Sequence, residues 1–77
     1  MSSSRLPRDL SGQDFKKAVA PIGFEQKRQR GSQMVLFRSE PVTTLVVPDH
    51  KALKIGLLRK LIDQAGLTTD EFLELLG

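Results

Sequence analysis

The sequence predicts an α+β fold in which a helix precedes a three-stranded antiparallel sheet, a second helix follows it, and a short helix ends the chain. Two observations lead to this α-β-β-β-α order. Apolar residues recur at helical spacing near both ends of the chain, and three short runs with strand character lie between them. With 77 residues, the chain is long enough for one hydrophobic core.

The N-terminal segment has a different composition from the rest. Residues 1–9 mix serines, arginines and a proline without an apolar run, so we expect a flexible leader there and a single domain over residues 10–77. Neither a signal peptide nor a membrane span is recognisable in this segment, which makes the cytoplasm the expected location. The sequence contains no cysteine, which excludes disulfides, thiolate zinc sites and a cysteine nucleophile.

The first helix is predicted to begin after Ser11, because Asp14 three residues later completes a capping-box pattern. Pro21 lacks the N–H that a continuing helix needs, so the helix is expected to end near Ala20. The apolar positions at helical spacing are Phe15, Ala18, Val19 and Ile22.

Three strands are predicted over residues 24–29, 32–39 and 42–47. The second is the clearest, because it contains a continuous apolar run bounded by a glycine and a proline. The third is rich in β-branched residues and ends at Pro48. The first is polar, and its position between Gly23 and Gly31 is the main reason to predict it.

Two helices are predicted after the sheet. Apolar residues at spacings of three and four run from Ile55 to Ala65, and Gly66 closes this amphipathic helix. Thr68 and Glu71 form a second capping-box pattern before a short final helix. Its apolar residues either pack on the domain or form a partner-docking surface. These residues are Phe72, Leu73, Leu75 and Leu76.

The net charge of +3 is unevenly distributed. Before Leu61 twelve bases face five acids, a local charge of +7, whereas four acids and no base follow, a local charge of −4. A basic body is typical of proteins that bind a polyanion such as nucleic acid. The alternative is an ordinary solvated surface, since charge also serves solubility.

The densest basic stretch lies at the predicted first hairpin. Strand alternation predicts that Arg28 and Arg30 share one face and that Lys27 and Gln29 share the other. Hairpin geometry is expected to bring Arg38, at the far end of the next strand, toward the other cations. Gly31 permits close approach to a phosphate, and Ser32 adds a hydroxyl and an N–H. Alternatively, these charges only protect an edge strand from pairing.

His50 is the one side chain whose ordinary pKa lies near neutrality. Beside Asp49 it is a candidate for catalysis, although a histidine in such a loop more often has a hydrogen-bonding or helix-entry role. No set of metal ligands at recognised spacing is present, and the glycines form no phosphate-binding loop. We therefore predict no metal site and no cofactor.

Taken as a set, several short motifs in this order resemble the HicA family, also called YcfA-like, over residues 10–76. The most specific are the Arg-Gly-Ser turn, the Pro-Asp-His loop and the Gln-Ala-Gly-Leu helix end. The full series is Ser11-Gly12, Gly23-Phe24, Gln29-Arg30-Gly31-Ser32, Val46-Val47-Pro48-Asp49-His50, Leu53-Lys54, Gly56, Leu58-Arg59 and Gln64-Ala65-Gly66-Leu67.

The resemblance implies a fold similar to double-stranded-RNA-binding domains and a toxin that cleaves mRNA, independently of metal and of translation. It implies RNA and a HicB-type antitoxin protein as partners, with a homodimer and a toxin–antitoxin hetero-oligomer both open. The residue after Gly-Ser in this family is a histidine thought to act as the general acid or base. This chain has Gln33 at that position.

Glutamine cannot exchange a proton near neutral pH, so the substitution predicts weak or absent cleavage. Three explanations are open: a toxin inactivated for expression, a degenerate member of the family, and an active variant that uses His50. Three functions follow: an impaired endoribonuclease toxin, a non-catalytic RNA-binding module, and a protein that mainly binds an antitoxin. The expected site consists of the catalytic position Gln33 and the RNA-binding residues Lys27, Arg28, Arg30, Ser32 and Arg38.

Overall fold

The computed structural model describes residues 6–77 and confirms the predicted fold class. One helix, three antiparallel strands and two further helices follow one another, which agrees with the double-stranded-RNA-binding-domain-like architecture. The elements are α1 (Gly12–Val19), a 3₁₀ turn (Ala20–Ile22), β1 (Glu25–Arg30), β2 (Gln33–Ser39), β3 (Val42–Pro48), α2 (Ile55–Gln64) and α3 (Thr69–Leu76).

Both predicted capping boxes are present. The Ser11 hydroxyl accepts from the Asp14 backbone N–H at 3.0 Å, and the Ser11 N–H donates to the Asp14 carboxylate at 3.1 Å. That N–H is the main reason why the pKa of Asp14 lies below its ordinary value of 3.8, and the Ser11 side chain lowers it further. Thr68 and Glu71 make the same two bonds before α3. Local sequence therefore determines where these two helices begin.

The sheet is a meander in the order β1-β2-β3. Strands β2 and β3 pair regularly, from Gln33 opposite Pro48 to Ser39 opposite Val42. Strands β1 and β2 pair with an irregularity between Gln26 and Arg28. This irregularity has the form of a β-bulge, and it ends the regular alternation of side chains along β1.

One face of the sheet is covered and the other is open. Met34, Leu36, Leu45 and Val47 are fully buried beneath the helices, and both α1 and α2 contact β3. The intervening positions of β2 and β3 are exposed or half-buried and form the surface that we call the open face. On β2 and β3, the open face includes Gln33, Val35, Phe37, Val42, Thr44 and Val46.

The final helix packs on the first. Phe72 is fully buried, and its ring stacks on Phe15 with the centroids 5.3 Å apart. Leu75 and Leu76 pack partly against the same core. Two roles were open for the apolar residues of α3, packing on the domain and docking a partner. The burial of Phe72 shows that this residue packs on the domain.

The predicted leader is described only in part, since residues 1–5 lie outside the described residues. Leu6 is half-buried and packs against the core, and Leu10 belongs to the core itself. The leader and the boundary at residue 10 stay predictions.

Candidate functional site

Three of the predicted cations lie together on the open face. Arg28 is opposite Val35 and Arg30 is opposite Gln33, and both of these partners belong to the open face. The Lys27 ammonium lies 5.6 Å from the centre of the Phe37 ring, also on this face. The prediction that Lys27 shares the opposite face with Gln29 was therefore wrong, because the bulge turns Lys27 toward Arg28. All three side chains are exposed, and we call them the cation cluster.

Arg38 does not join the cation cluster, so the prediction that hairpin geometry brings it there was wrong. It alternates with Met34 and Leu36 on the helix side of the sheet and is only 9% exposed. Its Nε donates to the Pro41 carbonyl at 3.2 Å, and its Nη2 donates to the Thr43 hydroxyl at 3.0 Å. Its guanidinium is thus committed to contacts within the fold.

Gln33 begins β2 and is exposed on the open face between Arg30 and Pro48 of the neighbouring strands. Ser32 precedes it in the turn and is also exposed. Gly31 has a φ of 58°, a backbone conformation that favours glycine, and a Cβ built there would meet no atom within 4 Å. The turn is therefore accessible to a ligand from outside, and it lies directly beside one end of the cation cluster.

A polar network on the helix side holds this turn in place. The Gln29 amide donates to the Gly31 carbonyl at 3.2 Å and to the Asp49 carboxylate at 3.4 Å. Gln13 of α1 donates to the other Asp49 oxygen at 3.1 Å. The Asp49 backbone N–H donates to the Ser32 carbonyl at 2.7 Å. Asp49 therefore connects the turn to α1, a role that the sequence analysis missed.

His50 is exposed and follows Asp49 in the loop after β3. Its carbonyl accepts from the Gly12 N–H at 3.0 Å, which joins this loop to the start of α1. The Asp49 carboxylate accepts from two glutamine amides on other elements. These bonds give Asp49 a structural role that does not depend on His50. The backbone contacts place His50 at the same end of the sheet as Gln33.

Within residues 6–77, no group of three or more His, Asp or Glu side chains is arranged to hold a metal ion. Over the same residues, no helix has the length and apolar character needed to cross a membrane. The exposed side chains at the turn include the Ser32 hydroxyl, the Gln33 amide and the Arg30 guanidinium.

A family model described as the HicA toxin of bacterial toxin–antitoxin systems matches residues 12–67. The chain belongs to the HicA toxin family. The match runs from the first residue of α1 to the loop after α2, and so includes the cation cluster, the turn and the Asp49 network. Comparison with curated proteins gives no match. Membership of the HicA family makes this chain a toxin-type component of a toxin–antitoxin system and implies an antitoxin partner.

The HicA match ends before the last helix and includes Gln33. Helix α3 begins at Thr69, beyond the matched residues, although its Phe72 is part of the core. Gln33 lies inside the match, at the position where the HicA resemblance implies a histidine.

Proposed function

We propose that this chain is a HicA-type endoribonuclease toxin that binds mRNA in the cytoplasm, cleaves it weakly or not at all, and is neutralised by a HicB-type antitoxin. The observation that carries the proposal is the position of Gln33. It is exposed at the start of β2, opposite Arg30 and one residue after Ser32. A phosphate held by the cation and the turn would lie within reach of this side chain.

The cation cluster supports the binding half of the proposal. Lys27, Arg28 and Arg30 are exposed side by side along one edge of the sheet. Cations in such a row neutralise successive phosphates and release counterions, the main sequence-independent source of affinity for nucleic acid. The Phe37 ring beneath Lys27 is half-buried and offers an apolar surface beside the row.

The chemistry of glutamine supports the catalytic half. A positioned acid or base contributes about 10²- to 10⁴-fold in rate, and histidine supplies one near neutral pH. The Gln33 amide only donates and accepts hydrogen bonds. It remains able to orient a phosphate or a 2′-hydroxyl, so binding persists where proton transfer is lost.

The test compares the unmodified protein with Gln33→His on a mixed mRNA substrate, with EDTA present. Gln64→His is the matched control, because Gln64 is exposed on α2 and absent from the proposed site. We expect only Gln33→His to cleave RNA, at least about 100-fold faster than the unmodified chain. Its expression should arrest growth, and a HicB-type antitoxin should relieve the arrest.

A second candidate is an RNA-binding module without catalysis, and it is favoured by the same amide at position 33. It predicts salt-sensitive RNA binding by both proteins and cleavage by neither. Cleavage by the unmodified chain that disappears in His50→Ala would instead identify the variant that uses His50. Tight antitoxin binding without RNA affinity would leave only the antitoxin-binding function.

A further inference from the structure

The outer edge of β3 is unlike the other edge of the sheet. Strands β1 and β3 are the two edges, because the order is β1-β2-β3. Strand β1 has the sequence EQKRQR and contains a bulge, whereas β3 has the sequence VTTLVVP and contains no charged residue. Charges and bulges are the usual means by which an edge strand avoids pairing with another chain. Strand β1 has both, and β3 has neither.

Strand β3 is also apolar where it meets solvent. Val42 is 75% exposed and Val46 is 46% exposed, and they are the large hydrophobic residues that stand out on the described surface. Thr44 is exposed between them on the open face. β-Branched residues favour a pleated surface that is covered by neighbours. These side chains lack such neighbours on the outer side of the strand.

The backbone of β3 is suited to a further strand. Its prolines lie only at the ends, with Pro41 before the strand and Pro48 at its last position. Each residue from Val42 to Val47 therefore has an N–H. Within residues 6–77, no strand pairs with β3 on the side away from β2, and no other element donates to or accepts from its backbone there. Peptide groups on that side are left for a partner.

We propose that β3 pairs antiparallel with β3 of a second copy of this chain, joining the two sheets into one of six strands. Residues that lie opposite each other in neighbouring strands point to the same face of a sheet. The two open faces therefore join only when open-face residues of one copy lie opposite open-face residues of the other. The register that places Thr44 opposite its own copy also places Val42 opposite Val46 of the second copy. The Val42–Val46 pair then occurs twice, once on each side of the two-fold axis, and each exposed valine is covered by a valine of the other copy.

Among the ways in which two copies of this chain could pair edge to edge, the charge pattern favours β3 with β3. Pairing of β3 with itself brings no charged residue opposite another, whereas pairing of β1 with itself would oppose cations. Pairing of β1 with β3 would be head-to-tail and would continue into a ring or a filament, whereas the β3 pair closes at two copies with two-fold symmetry. The net charge of +3 on each copy is largely screened at physiological ionic strength.

The dimer would place both open faces on the same side of the joined sheet. The two β1 strands would then be its outer edges, five strand spacings or about 24 Å apart. Each edge carries the cation cluster of Lys27, Arg28 and Arg30. One pair of short strands buries a small area, so we expect a dissociation constant on the order of 10–100 μM, as for transient interfaces.

A single cysteine tests the register, because the chain has no cysteine of its own. Residues opposite each other at a two-fold axis have Cβ atoms about 4.5–5.5 Å apart, close enough for a disulfide after a small shift. We expect Thr44→Cys to form a disulfide-linked dimer rapidly under mild oxidation. The control is Ala20→Cys, which is exposed at the C-cap of α1 and lies outside β3, and it should crosslink at least about tenfold more slowly.

Sedimentation equilibrium tests the association itself. The mass of the unmodified chain should rise from monomer toward dimer between about 5 μM and 500 μM. Thr44→Lys places like charges opposite each other and should weaken association about tenfold, whereas Ala20→Lys should not. Circular dichroism melts check that both variants fold. Because the readout is mass, this test is independent of the outcome for RNA cleavage.

Three outcomes would overturn the proposal. The first is a monomer at all concentrations together with equal crosslinking of the two cysteine variants. The second is a dimer that Thr44→Lys does not weaken, which would place the contact elsewhere. The third is protection of the β3 amides from hydrogen exchange only when an antitoxin is added, which would assign the edge to that protein.

Discussion

The guanidinium of Arg38 lies 4.5 Å from the centre of the Phe24 ring. The same group donates to Pro41 and Thr43 and is close to the end of α2, where a Cβ on Gly66 would lie 3.9 Å from Nη2. The last turn of α2 contains no base. Arg38 therefore supplies the cation that a helix C-terminus favours, and it ties β2 to the turn before β3.

The first prediction is that Arg38→Met lowers the free energy of unfolding by about 2 kcal/mol, because a cation–π contact and two hydrogen bonds are lost. Urea denaturation measures this. Arg28→Met is the matched control on the exposed face and should change stability by less than about 0.5 kcal/mol. A loss of RNA affinity in folded Arg38→Met, with stability unchanged, would contradict the structural role.

The second prediction concerns two helical glycines. Gly12 approaches β3 so closely that a Cβ would overlap the Pro48 carbonyl, whereas a Cβ on Gly56 would meet nothing within 4 Å. Gly12→Ala should therefore destabilise the protein by about 2–3 kcal/mol through forced movement of backbone. Gly56→Ala should stabilise it by about 0.5–1 kcal/mol, because the unfolded chain loses freedom. Thermal unfolding should show opposite shifts; shifts of the same sign would refute this.

The elements of the fold were predictable because local patterns and tertiary structure agree. Ser11 and Thr68 begin their helices through capping boxes that are visible in the sequence. No predicted strand bound differs from the observed one by more than one residue, although β1 is shifted at both ends and Phe24 is buried just before it begins. Position alone identified β1, because its sequence has no apolar pattern.

The arrangement of the site was less predictable, since it depends on tertiary contacts. The bulge that turns Lys27 to the open face leaves no mark in a polar strand. The burial of Arg38 was visible in the sequence as a spacing of two residues from Leu36 and four from Met34, which places all three on one face of β2. The continuous apolar run from Met34 to Phe37 made this alternation hard to recognise. The bond between Gln13 and Asp49 joins residues far apart in the chain, and no local pattern predicts it.

The third prediction concerns pH. The bond from the Ser11 N–H holds the pKa of Asp14 below 3.8 in the folded protein. The charged carboxylate therefore stabilises the fold above pH 3.8, and this contribution is lost as the pH falls through the lowered pKa. The stability difference between the unmodified chain and Asp14→Asn should be constant near neutrality and shrink below pH 3.8. An NMR titration midpoint for Asp14 at or above 3.8 would contradict this explanation.

The last prediction measures the cation cluster directly and depends on the proposed function. Binding of a single-stranded RNA to the unmodified chain should weaken with salt, because each phosphate contact releases counterions. Changing Lys27, Arg28 or Arg30 to glutamine should each lower the slope of log affinity against log salt by about 0.7. Arg38→Gln should leave the slope unchanged in protein that remains folded, since its guanidinium is committed to Pro41 and Thr43. Fluorescence anisotropy over a series of salt concentrations gives these slopes. An equal loss of slope in all four variants would mean that RNA binds by net charge alone, whereas a loss confined to the three exposed cations would locate its backbone on the edge formed by β1.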